Sequence, residues 1–245
     1  MTKIYIAQEP VEGTFRLDRE HKKRLVKVMR LKTGDHLLVI TSGNKWECRI
    51  QQILPDEIDL QIVRKLEAPP PPALHLILAQ AIPKGDRFEW LIQKSTELGV
   101  AEIFPLMTER TVVKPGNVPA KVQRWNEIAG QAAGQSENAF PCLVHPPESL
   151  PSFLLKPINS QLKLLLHERK EAVPLRRLLA GNSDVHRITF VVGPEGGWTE
   201  TETEEITSCG YTMIHLGPRI LRAETGGLVM ATLLQYELGD FQAAH

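Results

Sequence analysis

The chain has 245 residues, of which 42% are hydrophobic and 24% are charged, and its 29 basic side chains are balanced by 29 acidic ones. This composition is typical of a globular protein with one large or two modest domains. The apolar runs are too short to span a bilayer, and the N-terminus has no apolar signal core, so we expect no membrane segment and no secretion. The three cysteines, Cys48, Cys142 and Cys209, are widely spaced, which argues against a disulfide framework or a metal site and favours a cytoplasmic protein.

The N-terminal part of the chain is predicted to be mostly β-strand. The segments HLLVIT, KWECRIQQIL and EIDLQIVRKL carry β-branched or alternating apolar residues and are separated by turn sequences. The preceding segment HKKRLVKVMR has the pattern of one short helix, with Leu25 and Met29 on its apolar face. We expect a small β-barrel-like module that carries this helix.

The same helix is strongly basic. Residues 16–32 contain eight basic and two acidic side chains, and Lys23, Lys27 and Arg30 are predicted to share a face. A local basic stripe on a neutral protein indicates a polyanion contact, and nucleic acid is the natural candidate. A solvated helix face is the alternative that composition leaves open.

A run of four prolines in APPPPA, residues 68–73, predicts the domain boundary. Residues 1–68 would form the small domain and 73–245 a larger one. In the larger domain, the apolar runs LHLILAQ, AEIFPL, LKLLLHE, RITFVVGP and YTMIHLG alternate with helical patterns. Such runs are typical of parallel strands covered on both faces, so the predicted class is α/β.

Two glycine-punctuated turns follow the last two predicted strands. One contains Gly193-Pro194-Glu195-Gly196-Gly197 and the other begins at Gly217-Pro218. Glycines let backbone groups approach a ligand closely, and the carboxyl ends of parallel strands are where open α/β sheets bind ligands. The patterns G-x-G-x-x-G and G-x-x-x-x-G-K-[ST] are absent, which disfavours a standard dinucleotide or NTPase site. Purely structural turns are the alternative.

Several polar side chains stand in or beside these turns. Arg219 and Arg222 suit a phosphate or a carbonyl oxygen that becomes negative, and Glu224 could orient either guanidinium. Glu195 could contact a cationic ligand or cap the helix beginning near Thr199. His167, at the end of LLLHER, is either structural or a residue of the same pocket.

The order of these motifs resembles one family. The segments are H-x(8)-R-x(3)-GD at His21, Arg30, Gly34 and Asp35, then KGDRFEWLIQKSTELGV, RWNEIAGQAAGQS, LLLHER, VVGPEGGWTETE and LGPRILRAETGGLVMATLLQYELGD. Together they resemble the RsmE family of bacterial 16S ribosomal RNA uridine N3-methyltransferases, within the SPOUT superfamily. One departure is Asn138, where the family usually has an arginine.

The resemblance implies a PUA-like β-barrel followed by an α/β domain with a deep trefoil knot. It implies a homodimer that uses S-adenosylmethionine to methylate N3 of a uridine in 16S ribosomal RNA. Two alternatives remain: another SPOUT activity such as ribose 2′-O methylation, and a catalytically idle RNA-binding or assembly protein. The implied catalytic residues are Arg222, Glu224 and Arg219, and the RNA would be held by Lys23, Lys27 and Arg30. The implied S-adenosylmethionine-binding residues are Leu166, His167, Glu168, Gly193, Pro194, Glu195, Gly196, Leu216, Gly217, Leu221 and Thr225.

Overall fold

The computed structural model describes residues 1–68, 70–111, 116–168, 171–182 and 184–241. Its contacts divide the chain into two compact units. The first unit contains Met1–Pro71 together with Gly130–Pro141, and the rest of the described chain forms the second. The division falls within the proline run. The limits 1–68 and 73–245 for the functional domains stay a prediction. The sequence analysis did not predict that residues 130–141 pack with the first unit.

The first unit is built on a five-stranded sheet. Its strands are β1 (Thr2–Tyr5), β2 (Thr14–Leu17), β3 (His36–Thr41), β4 (Asn44–Ile53) and β5 (Ile58–Leu66). The strand order is β1-β3-β4-β5-β2, with β1 parallel to β3 and the other neighbours antiparallel. The structure confirms β3, β4 and β5. The sequence reading missed β1 and β2 because strands of four residues are too short to show a clear alternation.

Apolar side chains of these strands form one core. Its strand residues are Ile4, Phe15, Leu17, Leu37, Val39, Cys48, Ile50, Ile58 and Leu60. Leu25 is the one helical residue in this cluster, so a single fully buried side chain anchors the basic helix to the sheet. Burial raises the pKa of the Cys48 thiol to about 12, which keeps it an unreactive apolar side chain.

The predicted basic helix is present in a different form. Helix α1 (Arg19–Lys22) has Asp18 as its N-cap, and the Asp18 carboxylate accepts hydrogen bonds from two backbone N–H groups. These hydrogen bonds lower the pKa of Asp18. The chain then continues directly as a π-helical segment, Lys23–Val28. Lys23 and Lys27 are exposed on that segment.

Arg30 does not belong to the helix. The helix ends before it, and its backbone takes a left-handed conformation with φ of 59°. The prediction that Lys23, Lys27 and Arg30 share one continuous helical face is therefore wrong, although all three side chains are exposed. A π-helical segment widens the turn, and no local periodicity announces it.

The segment Gly130–Pro141 completes the first unit. Glu137 forms ion pairs with Lys3 at 2.7 Å and with Lys45 at 3.0 Å. These bonds lower the pKa of the Glu137 carboxyl. The side-chain oxygen of Asn138, where the family usually has an arginine, accepts a hydrogen bond from the backbone N–H of Phe140 at 2.8 Å. Asn138 thus shapes the turn locally.

The second unit contains one parallel sheet. Its strands are β6 (His75–Ala81), β7 (Val100–Met107), β8 (Leu143–Val144), β9 (Glu148–Ser149), β10 (Leu162–Leu166), β11 (Val173–Pro174), β12 (Arg187–Val192) and β13 (Thr212–His215). The order is β11-β13-β10-β12-β6-β7-β8, and β9 pairs with β7. The five predicted strands are confirmed as β6, β7, β10, β12 and β13. The two-residue strands were not predicted.

Helices cover both faces of this sheet. They are α2 (Arg87–Glu97), α3 (Val118–Ser136), α4 (Leu150–Leu154), α5 (Leu175–Leu179), α6 (Glu200–Ser208) and α7 (Ala223–Leu238). In β6, Leu76 and Leu78 join one apolar cluster with α2 and α7, while Ile77 and Ala79 join another with α4 and α6. This alternation explains why the strands are nearly continuous apolar runs, and it confirms the α/β prediction.

Two predicted helix ends are also confirmed. Thr199 and Glu202 form a capping box at the start of α6, with both reciprocal hydrogen bonds present. Gly99 follows α2 with a left-handed φ of 76°. No helix in the described ranges is long and apolar enough to cross a membrane. The trefoil knot depends on how the loops thread and stays a prediction.

Candidate active site

A cavity of about 1210 Å³ lies in the second unit where β10, β12 and β13 end. Three segments, 166–168, 192–198 and 215–223, form its wall, together with Arg110, Glu200 and Gly226. The three strands are neighbours in the sheet, so their carboxyl ends meet at one edge. This is the edge at which a parallel sheet places its ligand, as the sequence predicts.

The turn after β12 is held by contacts within and outside it. The N–H of Gly197 donates to the carbonyl oxygen of Pro194 at 2.9 Å. The guanidinium of Arg110, which follows β7, donates to the carbonyl oxygen of Gly196 at 2.7 Å. Arg110 therefore fixes this turn from a distant part of the sequence and itself lies on the cavity wall.

The turn after β13 leads directly into α7. The N–H of Gly217 donates to Nδ1 of His215 at 3.1 Å, which bends the chain sharply. Helix α7 then packs closely against the end of β10, since a Cβ added at Gly226 would come within 2.8 Å of a methyl carbon of Leu166. A larger residue at this position would push the helix away from the cavity.

Arg222 occupies the N-cap of α7 and makes no side-chain capping hydrogen bond. Ser, Thr, Asp and Asn are the residues that normally satisfy the free N–H groups there, and their absence costs about 1 kcal/mol. The free N–H groups and the helix dipole place partial positive charge at the cavity wall. The protein thus lacks a stabilising cap at the start of α7, where the free N–H groups can bind negative charge instead.

The wall carries charges of both signs. Arg110, Arg219 and Arg222 supply the positive charge, and Glu168, Glu195 and Glu200 supply the negative. Within the described part of the chain, neither Arg219 nor Arg222 has an ion pair or a side-chain hydrogen bond. Their donors are thus available to a ligand.

Glu224 has a different partner from the predicted one. Its carboxylate is buried, with the side chain 8% exposed, and its ion pair is with Nε of Arg87 at 3.7 Å. The described contacts do not include the predicted pairing with Arg219 or Arg222. Glu224 therefore belongs to the support of the wall, and the sequence reading missed Arg87 because the two residues lie far apart in the chain.

Most predicted site residues come together around this cavity. Those on its wall are Leu166, His167, Glu168, Gly193, Pro194, Glu195, Gly196, Leu216, Gly217, Leu221, Arg219 and Arg222. Glu224 and Thr225 lie in the first turn of α7, and neither is among the described residues that line the cavity. Lys23, Lys27 and Arg30 belong to the first unit.

Comparison with known proteins agrees with this arrangement. Residues 70–235 match the RNA methyltransferase domain family, and residues 25–63 match the RNA methyltransferase PUA domain. The ribosomal RNA small subunit methyltransferase E of Bacillus subtilis (strain 168) is 30% identical over 97% of this chain and 94% of its own. This chain belongs to the ribosomal RNA small subunit methyltransferase E family. The sequence-based recognition of that family is confirmed.

Other methyltransferase E proteins support the same assignment. The one from Synechocystis sp. is 33% identical over 92% of this chain and 74% of its own. The crystal structure of the Neisseria gonorrhoeae enzyme bound to S-adenosyl methionine has a TM-score of 0.89, 29% identity, and covers 99% of this chain and 100% of that one. The methyltransferase E fold, with an N-terminal PUA-like β domain and a parallel-sheet methyltransferase domain, is confirmed.

The prediction left out several residues of the site, three of which make contacts that matter below. Arg110 and Trp198 lie on the wall, and Arg87 lies behind it. Arg110 and Arg87 follow β7 and β6, whose carboxyl ends lie on the same edge of the sheet, and this edge rule was the signal that could have found them. Among the described residues, no group of three or more His, Cys, Asp or Glu side chains is arranged to hold a metal ion.

Proposed function

We propose that this protein binds S-adenosylmethionine in the cavity at the ends of β10, β12 and β13 and transfers its methyl group to N3 of a uridine in 16S ribosomal RNA. The observation that carries the proposal is the cavity itself, which brings three distant turns together in a methyltransferase E fold. The crystal structure of the Neisseria gonorrhoeae relative is described as bound to S-adenosyl methionine.

The residues of the wall fit this cofactor. Apolar side chains at Leu166, Leu216, Leu221 and Trp198 suit an adenine ring, while backbone groups of the glycine turns can bond its polar edge. Glu168 and Glu200, on the same wall, offset the positive ammonium and sulfonium groups. The volume of about 1210 Å³ exceeds that of an ordinary small-molecule site, roughly 300–1,000 Å³, and leaves room for a base beside the cofactor.

When bound, S-adenosylmethionine supplies a methyl carbon activated by a positively charged sulfur. The protein then has to align the nucleophile and stabilise the charge that forms on it. Uridine N3 becomes nucleophilic only as its proton passes to solvent, and negative charge then spreads onto O2 and O4. Arg222, with Arg219, donates hydrogen bonds to that charge, and the N-terminus of α7 adds its partial positive charge.

The uridine must be unstacked for this reaction, because N3 is hidden in a base pair. Lys23, Lys27 and Arg30 of the first unit hold the surrounding phosphates. All three are exposed, and within the described ranges none of them forms an ion pair or a side-chain hydrogen bond. Unpaired exposed cations are the groups that release counterions on binding RNA.

Helix α7 forms the contact of a homodimer in this proposal. Met230, Ala231 and Leu234 are fully buried in the core of the unit, whereas Leu233 is 37% and Tyr236 54% exposed. Large apolar side chains on the outer face of the helix, beside a fully packed inner face, suit a subunit interface.

Mass spectrometry of 16S ribosomal RNA nucleosides after deletion of the gene tests the function. We expect 3-methyluridine to disappear and to return when the wild-type gene is restored. Loss of a ribose methyl instead would assign a different methylation, and an unchanged nucleoside profile would indicate an idle RNA-binding protein. Either result would overturn the proposal.

A further inference from the structure

Arg87, the first residue of α2, lies between two carboxylates from distant parts of the chain. Its Nη1 donates to Oε1 of Glu195 at 3.3 Å, and its Nε is 3.7 Å from Oε1 of Glu224. Glu195 belongs to the turn after β12, and Glu224 belongs to the first turn of α7. Arg87 is not among the described residues that line the cavity, so its influence on a ligand is exerted through these two carboxylates.

Glu195 is tied to the start of α2 by two donors. Besides Arg87, the backbone N–H of Lys84 donates to the same carboxylate oxygen at 3.1 Å. The sequence left open whether Glu195 caps the helix that begins near Thr199. Thr199 and Glu202 make the capping hydrogen bonds of that helix between them, and the Glu195 side chain instead holds its turn against residues 84–87.

The burial of Glu224 increases the importance of its ion pair with Arg87 for the stability of the wall. Its Oε2 is buried and has no hydrogen-bond partner among the described residues, while Oε1 faces Arg87. A buried carboxylate depends on its charge partner, because an uncompensated buried charge is strongly destabilising. Ala223 and Gly226, on either side of Glu224, both line the cavity. Movement of Glu224 would therefore move the wall.

We propose that Arg87 is a positioning residue for cofactor binding. One guanidinium holds the turn after β12 and the first turn of α7 in a fixed relation, and these are two of the three segments that enclose the cavity. A planar guanidinium with several donors can serve two carboxylates at once, which an ammonium group cannot do with the same geometry. This inference rests on the proposed function, since it takes S-adenosylmethionine as the ligand.

A double-mutant cycle on Arg87 and Glu195 tests the proposal. The affinity for S-adenosylmethionine is measured by calorimetry for wild type, Arg87→Met, Glu195→Gln and the double variant. We expect Arg87→Met to weaken binding about tenfold in the wild-type background and by a smaller factor, about threefold, in the Glu195→Gln background, where only the pair with Glu224 is lost. In steady-state assays the KM for the cofactor should rise while the KM for RNA is unchanged. Arg87→Lys should retain the fold but recover only part of the affinity.

Two control variants separate positioning from general effects. Arg124→Met removes another arginine, whose two bonds to Glu89, both 2.9 Å, lie on the outer side of α2. Lys84→Met removes a positive charge next to Glu195 but keeps the backbone N–H that Glu195 uses. Both should bind the cofactor as wild type does. If Arg87→Met melts below the assay temperature, Arg87→Lys replaces it in the cycle, with a smaller coupling of the same sign expected.

Equal losses in both backgrounds, an unchanged affinity in the Arg87 variant, or an equal loss in Arg124→Met would each overturn the role of Arg87. In those cases wild-type protein still binds S-adenosylmethionine, and the proposed function stands. Absence of binding by the wild-type protein would overturn the proposed function and, with it, this inference.

Discussion

The indole N–H of Trp198 donates to the carbonyl oxygen of Leu166 at 3.3 Å, and this bond joins the turn after β12 to the end of β10. Gly193 lies directly against the same ring. A Cβ at that position would stand 2.9 Å from two ring atoms of Trp198. The ring is buried, so it cannot yield without losing its bond to Leu166. The positions of the turn after β12 and of the end of β10 thus both depend on the absence of a side chain at Gly193.

Gly193→Ala should therefore weaken cofactor binding. Moving the indole to accept the methyl group would shift the wall, with a cost of about 1–3 kcal/mol that is typical of overpacking. That cost corresponds to a fall of roughly 5- to 150-fold in the affinity for S-adenosylmethionine, which calorimetry measures. Gly181→Ala is the matched control, because an added Cβ there meets no atom within 4 Å. Normal affinity in Gly193→Ala would show that the ring contact does not shape the site.

Arg222→Ala should strongly reduce turnover while leaving cofactor affinity within a few fold. The guanidinium is proposed to act on charge that develops during methyl transfer, and removal of one such donor typically costs about 3 kcal/mol, or 10²–10³ in kcat. Single-turnover methylation and calorimetry measure the two quantities separately. Arg177→Ala, on the exposed part of α5, should leave both unchanged. If Arg222→Ala instead lost cofactor binding with turnover preserved, its assigned role would be wrong.

Lys23→Ala combined with Lys27→Ala should weaken RNA binding and reduce its salt dependence. Each lost phosphate contact lowers the slope of log affinity against log salt concentration by about one unit. Binding to 16S ribosomal RNA is measured at several salt concentrations. A double variant of Arg176 and Arg177 removes the same charge from the second unit and should retain the wild-type slope. An unchanged slope in the lysine variant would mean that the basic helix is only a solvated face.

Glu102 forms a polar cluster near the amino ends of β6 and β7. Its two carboxylate oxygens accept hydrogen bonds from Nε2 of His75 and of His145, each at 2.9 Å. The bonds from His145 and then His75 hold the pKa of Glu102 well below its usual value, although burial opposes them. The cluster is formed by the first residue of β6, the third residue of β7 and the residue that follows β8.

The lowered pKa predicts how stability depends on pH. Because the folded state holds the ionised carboxylate, the contribution of Glu102 is complete above the ordinary value of 4.5 and is lost as pH falls through the lowered pKa. Glu102→Gln should reduce the free energy of unfolding at neutral pH, and the difference from wild type should shrink in acid. Denaturant titrations of wild type and Glu102→Gln, from neutral pH into acid, measure this difference in the free energy of unfolding. A difference that stays constant in acid would contradict the role of the charge.

Leu233→Asp should produce a monomer with a normal fold. The side chain lies on the outer face of α7, where the proposed interface would bury it. Leu234→Asp, one residue on, should instead destabilise the unit, because Leu234 is fully buried in the core. Leu155→Asp, at a position 86% exposed, is the control. Analytical ultracentrifugation of wild type and variants gives the mass; a wild-type monomer, or an intact Leu233→Asp dimer, would remove this face from the interface.

Local sequence patterns were sufficient for the main frame of the second unit. Strands such as β6 and β12 are continuous apolar runs because both of their faces are covered, and the capping box at Thr199 and Glu202 marks a helix start within four residues. The turns at Gly193 and Gly217 follow such strands directly. Their meeting at one cavity could therefore be predicted from strand direction alone.

The contacts that were missed all join distant residues. Glu224 pairs with Arg87 rather than with an arginine in its own turn, and Arg110 bonds to Gly196 from the end of another strand. The π-helical form of Lys23–Val28 has no periodicity that a short window reveals. For the two missed pairs, tertiary packing rather than local propensity decides the partner.

The most direct test of the account is an assay with purified protein, labelled S-adenosylmethionine and small ribosomal subunits from a strain that lacks the gene, followed by nucleoside mass spectrometry. We predict that label appears in 3-methyluridine with the wild-type protein and appears at least about 100 times more slowly with Arg222→Ala. Label in a ribose methyl group, in another base, or in no nucleoside at all with the wild-type protein would contradict it.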